Sequence, residues 1–305
     1  MEIITVPAKN MVFKVKKPNG WFGAEYNMNI YRGCSHGCIY CDSRSDCYRN
    51  DDFDTIKVKE DALRKIRDDL KKKVLSGVVA TGAMSDPYNP LERELKLTRN
   101  ALELINAFEF GVAIDTKSPL VTRDKDILRD IAEHSPVIVK MTITTADNDL
   151  CNIVEPGVEN SEKRFKALEE LSDAGIFCGV LMMPILPFIN DTEENILRIV
   201  RRAKESGAKF VYPAMGMTLR SGNREYYYEK LDAFFPGIKD KYIKQYGTRY
   251  QCSSLKAKRL WDVFKTECGR LGLLSDMRSI THNYKSGYAS RQLDMFNLSE
   301  GAFRL

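Results

Sequence analysis

Apolar residues return along this chain in two alternating rhythms. Short runs rich in β-branched and aromatic residues occur at "NMNIY" (27–31), "GVVATGAM" (77–84), "GVAIDT" (111–116), "PVIVKMTITT" (136–145), "FCGVLMM" (177–183) and "KFVYPAM" (209–215). Their length and composition predict buried strands. Between them apolar positions fall three and four apart, as an amphipathic helix requires. Such stretches are "DALRKIRDDLKKKVL" from Asp61, "LTRNALELINAF" from Leu97 and "TRDKDILRDIAEH" from Thr122. Two more, opening at Ser161 and Asp191, end at the helix-stopping glycines Gly175 and Gly207. Six strand–helix units in series predict a parallel sheet with helices outside, because a parallel crossover needs a helix-length connection. Six units rather than eight predict a partial (β/α)6 barrel of TIM type.

After about residue 219 the alternation stops, and "YYYEKLDAFF" and "SLKAKRLWDVFKTECGRLGLL" read as helices. The expected organisation is an N-terminal extension (1–25), the barrel (26–218), a C-terminal helical lobe (219–285) and a tail (286–305). The longest apolar stretch, "GVLMMPILPFI" from Gly179, is about half a membrane span and carries two prolines, so no bilayer crossing is expected. The start "MEIITVPAKN" has no basic segment leading into an apolar one, so no secretory signal is expected and the cytoplasm is the expected compartment. Eight cysteines without an export signal point to reduced thiols, metal ligands or reactive sulfur rather than disulfides.

A net charge of +5 says little about partners, but its distribution says more. Basic clusters lie at 64–73, 198–209 and 256–259, and tyrosines interleave with charge in "NREYYYEKL" and "KYIKQYGTRY". Such a mixture suits nucleic acid, with phosphates held by charge and bases by stacking. A solvated helix face with ordinary core tyrosines is the plainer explanation.

The densest chemistry is "YRGCSHGCIYCDSRSDCY" (31–48), which holds four of the eight cysteines. Cys34, Cys38 and Cys41 form C-x3-C-x2-C, a spacing that lets three thiolates converge on a compact inorganic centre. Three ligands would leave the fourth iron of a [4Fe–4S] cluster open to another molecule. Structural zinc completed by Cys47 or His36 is the rival, but zinc sites come as paired short units separated by a longer loop.

In this loop the chain resembles the radical SAM superfamily, whose C-x3-C-x2-C loop follows the first strand of a (β/α)6 barrel. The resemblance implies a [4Fe–4S] cluster whose open iron binds S-adenosylmethionine (SAM). It further implies reductive cleavage to a 5′-deoxyadenosyl radical, an electron donor such as flavodoxin or ferredoxin, and an aromatic Tyr40 near the adenine. Further stretches resemble the spore photoproduct lyase-like branch over roughly residues 26–217. "TGAMSDPYNPLE" (81–92) implies Ser85 and Asp86 as holders of the SAM amine. "DTKSPL" implies Lys117 as the partner of its carboxylate, with Arg164 of "EPGVENSEKRFKALEELSDAG" a second candidate. Thr142 or Thr144 matches a hydroxyl position facing the cofactor. Each of these residues taken singly has an ordinary structural explanation, a helix cap or a surface charge. In that branch a cysteine two residues before the Ser-Asp pair returns hydrogen to the substrate; here Ala83 stands there. Tyr88, Cys151, Cys178 and Cys252 remain as hydrogen-donor candidates, although a buried cysteine is by default a small hydrophobe.

Near the end, "RQLDMF" (291–296) is similar to the peptide by which bacterial repair proteins dock on the sliding clamp. Gln292 would supply polar anchorage, and Leu293, Met295 and Phe296 would fill an apolar groove. Burial of these side chains against the chain's own helices is the alternative. The expectation is therefore a radical SAM enzyme acting on nucleic acid, a DNA lesion or modified base. Its rivals are the same chemistry on RNA, peptide or a small metabolite, and a non-catalytic iron–sulfur redox sensor or clamp-associated binding protein.

Overall fold

The computed structural model describes residues 3–16, 20–50 and 52–288. Six parallel strands form one curved sheet: β1 (Tyr26–Met28), β2 (Val78–Thr81), β3 (Gly111–Thr116), β4 (Val137–Thr142), β5 (Cys178–Met182) and β6 (Phe210–Pro213). They neighbour one another in chain order, and an antiparallel strand, Val12–Lys14, adds to β1 at the edge. Because β1 and β6 do not pair, the barrel is partial, as the count of units predicts. The strands are buried along nearly their whole length, which explains why they read as continuous apolar runs.

The two faces of the sheet do different work. Outward residues such as Val79, Val112, Val139, Val180 and Val211 join the main core beneath the helices. These helices include α1 (Ala62–Lys71), α2 (Leu97–Ala107), α3 (Lys125–Ala132), α4 (Asn148–Val154), α5 (Ser161–Asp173) and α6 (Glu193–Glu205). Inward residues, among them Ala80, Ala113, Ile138, Leu181 and Phe210, form a separate cluster with Phe22, Ile280 and Tyr284. Gly179 on β5 has no room for a side chain, since a Cβ there would lie 2.5 Å from the Phe210 ring. Gly179→Ala should lower stability by about 1–3 kcal/mol, the usual cost of overpacking a closed interior; a urea midpoint unchanged from wild type would contradict this.

Helix ends follow local chemistry. Asn160 accepts from the Lys163 N–H and caps α5, and Gly175 (φ +80°) ends it; Thr192 caps α6 through the Asn195 N–H, and Gly207 (φ +73°) ends that helix. Asp191, where the sequence places the start of α6, instead accepts from the Phe188 N–H and from the Ser254 hydroxyl.

The helical segment after residue 219 is used in three places. Helices α7 (Asn223–Phe234) and α8 (Ile238–Tyr246) share a core with Cys38, Ile39 and Tyr40 of the cysteine loop. Helix α9 (Ala257–Leu271) packs on α6. A helix over 277–288 sends Ile280 and Tyr284 into the inner barrel cluster. One correction concerns strands: an antiparallel pair, β7 (Gly216–Thr218) with β8 (Gln251–Ser253), lies where the alternation had ended. Three residues are too few to display a period of two.

Candidate functional site

The cysteine loop leaves the first strand region at Gly33, where a positive φ (+81°) and the Thr55 carbonyl, 2.2 Å from any added Cβ, demand glycine. The Cys34 N–H donates to Phe53 O at 2.8 Å. The loop is also stitched to the "EPG" segment, with Ile39 N–H donating to Val154 O and Gly157 N–H to His36 O. A Cβ on Gly157 would meet Ser35 O at 2.4 Å, so the two loops touch backbone to backbone. Cys34 and Cys38 are buried and Cys41 half-buried, all as free thiols. Burial pushes the Cys34 thiol up to about 11, helped by the Asp86 charge, and raises Cys38 as well against the pull of Lys117. Cys47 is exposed at the far end and accepts from Arg220 Nη1 at 3.4 Å.

Beneath the loop lies a buried polar relay. Tyr40 OH donates to Glu155 Oε1, and Glu155 Oε2 pairs with Arg164 Nη1 at 2.5 Å. Both members of that ion pair are fully buried. Arg164 also donates to Thr142 O (3.0 Å), Glu159 O (2.8 Å) and Cys151 Sγ (3.3 Å). Burial alone would raise the Glu155 pKa, but Arg164 and Lys117 outweigh it and the net shift is downward. The relay ties the cysteine loop to the end of β4.

At the ends of β2 and β3 the Ser85 hydroxyl donates to Gly33 O, closing the loop from the other side. Asp86 accepts from Thr116 Oγ1 (2.7 Å), the Lys117 N–H (2.7 Å) and the Tyr88 N–H (2.9 Å), and faces His36 Nδ1 at 3.6 Å. Lys117 is different. Among the described residues its ammonium has no ion-pair partner and lies 5.7 Å from the Tyr40 ring centroid. Burial opposes its charge, but Cys38, Glu155 and Cys41 more than compensate and raise its pKa.

Beside these groups a cavity of about 530 Å³ opens at the C-terminal mouth of the barrel, and Cys34 and Cys38 do not line it. Ala83, Lys117, Met183 and Ala214, the residues just beyond β2, β3, β5 and β6, all line it, together with Tyr40 and Cys41. Of the residues singled out in the sequence, Tyr40, Cys41 and Lys117 are therefore on the wall. Ser85, Asp86, Thr142, Thr144 and Arg164 are not on it. They stand behind it, and among them the buried Thr144 Oγ1 has no hydrogen-bond partner. None of Tyr88, Cys151, Cys178 and Cys252 lines the cavity. Cys178 approaches Leu168 O, Cys151 lies against Arg164, and β8 turns Gln251 and Ser253 to the cavity and Cys252 away. Gln292, Leu293, Met295 and Phe296 lie outside the described residues.

A six-stranded parallel barrel with a three-cysteine loop at its C-terminal mouth, where Cys41 and Lys117 line one cavity, defines a class of cofactor-dependent enzyme fold. Residues 28–200 match the model of the radical SAM superfamily, and the chain belongs to that superfamily. It is 35% identical over 196 residues to an uncharacterised protein of Methanocaldococcus jannaschii, covering 63% of this chain and 71% of that one. It is 29% identical over 228 residues to an uncharacterised protein of Mycobacterium bovis, covering 72% and 67%. Among solved structures, a spore photoproduct lyase variant with bound AdoMet and dinucleoside spore photoproduct superposes with a TM-score of 0.64 at 15% identity, over 86% of this chain and 80% of that one. A radical S-adenosylmethionine methyltransferase from Kitasatospora setae superposes with a TM-score of 0.53 at 12% identity, over 80% and 51%. At such identities the likeness is one of fold.

The cofactors that accompany this membership are a [4Fe–4S] cluster and SAM. The residues present fit them. The donor set is all thiol, which suits iron–sulfur chemistry. Among the described residues no three His, Cys, Asp or Glu side chains converge on a point suited to a single ion. The cavity meets Cys41 and the Lys117 ammonium on one wall.

Two residues that matter to the site were not assigned from sequence. Glu155 was visible only as the first letter of "EPG". His36, buried against Asp86, was considered solely as a zinc ligand.

Proposed function

We propose that Cys34, Cys38 and Cys41 hold the cluster and that the protein cleaves SAM reductively at the cavity, acting on nucleic acid at a lesion or modified base. The observation that carries the reading is the shared lining: Cys41 of the cysteine loop and Lys117, whose ammonium has no ion-pair partner among the described residues, both line one cavity at the barrel mouth. A redox sensor has no use for such a space. When bound, the cofactor pair supplies one-electron cleavage of a carbon–sulfur bond and hydrogen-atom abstraction.

The chain's own residues bind and orient. Lys117, held charged by its neighbours, would pair with the SAM carboxylate. Asp86 fixes the backbone from which Lys117 projects, because it accepts the Lys117 N–H and the Thr116 hydroxyl. Ser85 pins the start of the cysteine loop at Gly33. Tyr40, anchored through its hydroxyl to Glu155, presents its ring to the cavity. Nucleic acid as substrate is supported by the spore photoproduct lyase fold and by cations and tyrosines near the cavity. Arg220 there lies 4.5 Å from the Tyr250 ring centroid and 5.8 Å from that of Tyr48.

Anaerobically reconstituted, reduced protein should form 5′-deoxyadenosine from SAM, and more of it with DNA than without. Lys117→Met should raise the SAM concentration needed by on the order of 10-fold, the loss of one charge-assisted contact. Product formation indifferent to DNA would remove the nucleic-acid reading, and none at all would remove the catalytic one. We also propose sliding-clamp docking through Gln292, Leu293, Met295 and Phe296. Gln292→Ala with Phe296→Ala should abolish clamp pull-down, and equal recovery of both proteins would retire it.

A further inference from the structure

The cavity has two chemically distinct halves. Cys41, Asp42, Ala83 and Lys117 come from the loops after β1, β2 and β3. The second half is built by the chain after β5 and β6: Met183, Met215, Met217, Gln251, Ser253 and Trp261. The two halves meet at one border, where Thr218 of β7, paired with Gln251 of β8, donates to Asp42 Oδ1. Five of those six residues fall beyond residues 28–200, the part that matches the superfamily, so this wall belongs to the chain's own C-terminal segment.

That second half carries no formal charge. Among the described residues, the charged side chains on the wall are Asp42 and Lys117, both in the first half. Asp42 is also committed, accepting from Thr218 Oγ1 and Tyr48 OH at 3.0 Å each. A phosphate or carboxylate placed in the second half would meet no cation among its lining residues, so any water it lost there would go uncompensated. What the half offers instead is a large aromatic surface, three polarizable thioethers, an amide that can both donate and accept, and a hydroxyl. Trp261 packs edge-on against Phe264 (5.6 Å, 78°), and Lys265 Nζ, which does not line the cavity, lies 5.6 Å from its ring centroid.

We propose that this half receives one uncharged heteroaromatic ring of the nucleobase class, packed against Trp261 and the methionines, with its polar edge read by Gln251 and Ser253. The sugar–phosphate remains outside, on the Arg220 side, so a base must leave its stack to enter. This deepens the nucleic-acid reading above and rests on it for the polymer, but not for the ring.

The test uses reconstituted, SAM-loaded holoenzyme kept unreduced, so that nothing turns over. A thymidine dinucleoside monophosphate and its abasic counterpart are the probes, with binding read by equilibrium dialysis. Trp261→Ala should weaken the dinucleotide by on the order of 10-fold, as loss of a stacking partner does. Trp261→Phe should retain most of the affinity, and SAM binding should be unchanged in both. Gln251→Leu should alter the ratio of thymine to cytosine affinity, since those bases present different edges. The abasic probe should bind wild type and Trp261→Ala alike. Equal dinucleotide affinity in wild type and Trp261→Ala, no measurable dinucleotide binding to wild type, or loss of SAM rather than dinucleotide in Trp261→Ala would each overturn the proposal. If the ring binds as described while DNA fails to stimulate 5′-deoxyadenosine formation, the ring site stands and the polymer reading falls.

Discussion

Replacing Cys34, Cys38 or Cys41 singly by alanine is expected to abolish 5′-deoxyadenosine formation and to lower the iron and sulfide retained after anaerobic reconstitution. In the proposed assignment each of these thiols is one corner of a three-point attachment. Cys178 and Cys268 belong to the main core, Cys151 is held against Glu155 and Arg164, and Cys252 is buried in the cluster beside the loop with its side chain off the cavity. Cys47 is the control. It is exposed and engaged with Arg220 rather than with the loop, so Cys47→Ala should retain wild-type iron and activity. Iron retention equal to wild type in Cys38→Ala would refute the assignment of ligands. A loss in Cys47→Ala as large as in Cys38→Ala would refute the three-cysteine count.

The second large effect is expected at Arg164. Arg164→Met removes the guanidinium that neutralises Glu155, leaves a fully buried carboxylate, and frees the Thr142 and Glu159 carbonyls. Breaking one side of a buried pair typically costs about 3–5 kcal/mol. Glu155→Gln combined with Arg164→Met should recover much of that loss, because no charge is then stranded. Chemical denaturation of the two single variants and the double variant measures the coupling directly. Additive losses would mean that the pair contributes no more than two independent contacts. The double variant should regain stability while its Tyr40 loses an ionic anchor, separating the structural role of the relay from its role in orienting the cavity wall.

The strands were legible because both faces of a parallel sheet are covered, so residues such as Val79 and Ala80 are apolar alike. The cysteine spacing was legible because it is local. The relay was not, since Glu155 acquires its meaning from Tyr40, 115 positions earlier, and from Arg164, and neither link leaves a mark in a linear pattern. One sign was present: Ser161, Arg164, Phe165, Leu168 and Leu171 share the buried face of α5, so an arginine sits in an apolar stripe. An arginine in that position needs a buried partner.

Ser85 and Asp86 illustrate the opposite limit. Their place beside the cofactor loop could be read from order and spacing, but not that their oxygens are already occupied by Gly33, Thr116 and Lys117. The cavity's second half was the least visible. It is assembled from β5 and β6 ends, two three-residue strands and one face of α9, each too short or too ordinary to announce a shared space.

In the proposed site three cysteines hold a cluster with one iron open to SAM. The electron paramagnetic resonance spectrum of the reduced, reconstituted protein before and after SAM is added tests this. The expected result is the signal of a reduced [4Fe–4S] cluster whose shape and g-values change with SAM. Absence of a cluster signal, or a signal indifferent to saturating SAM, would contradict it.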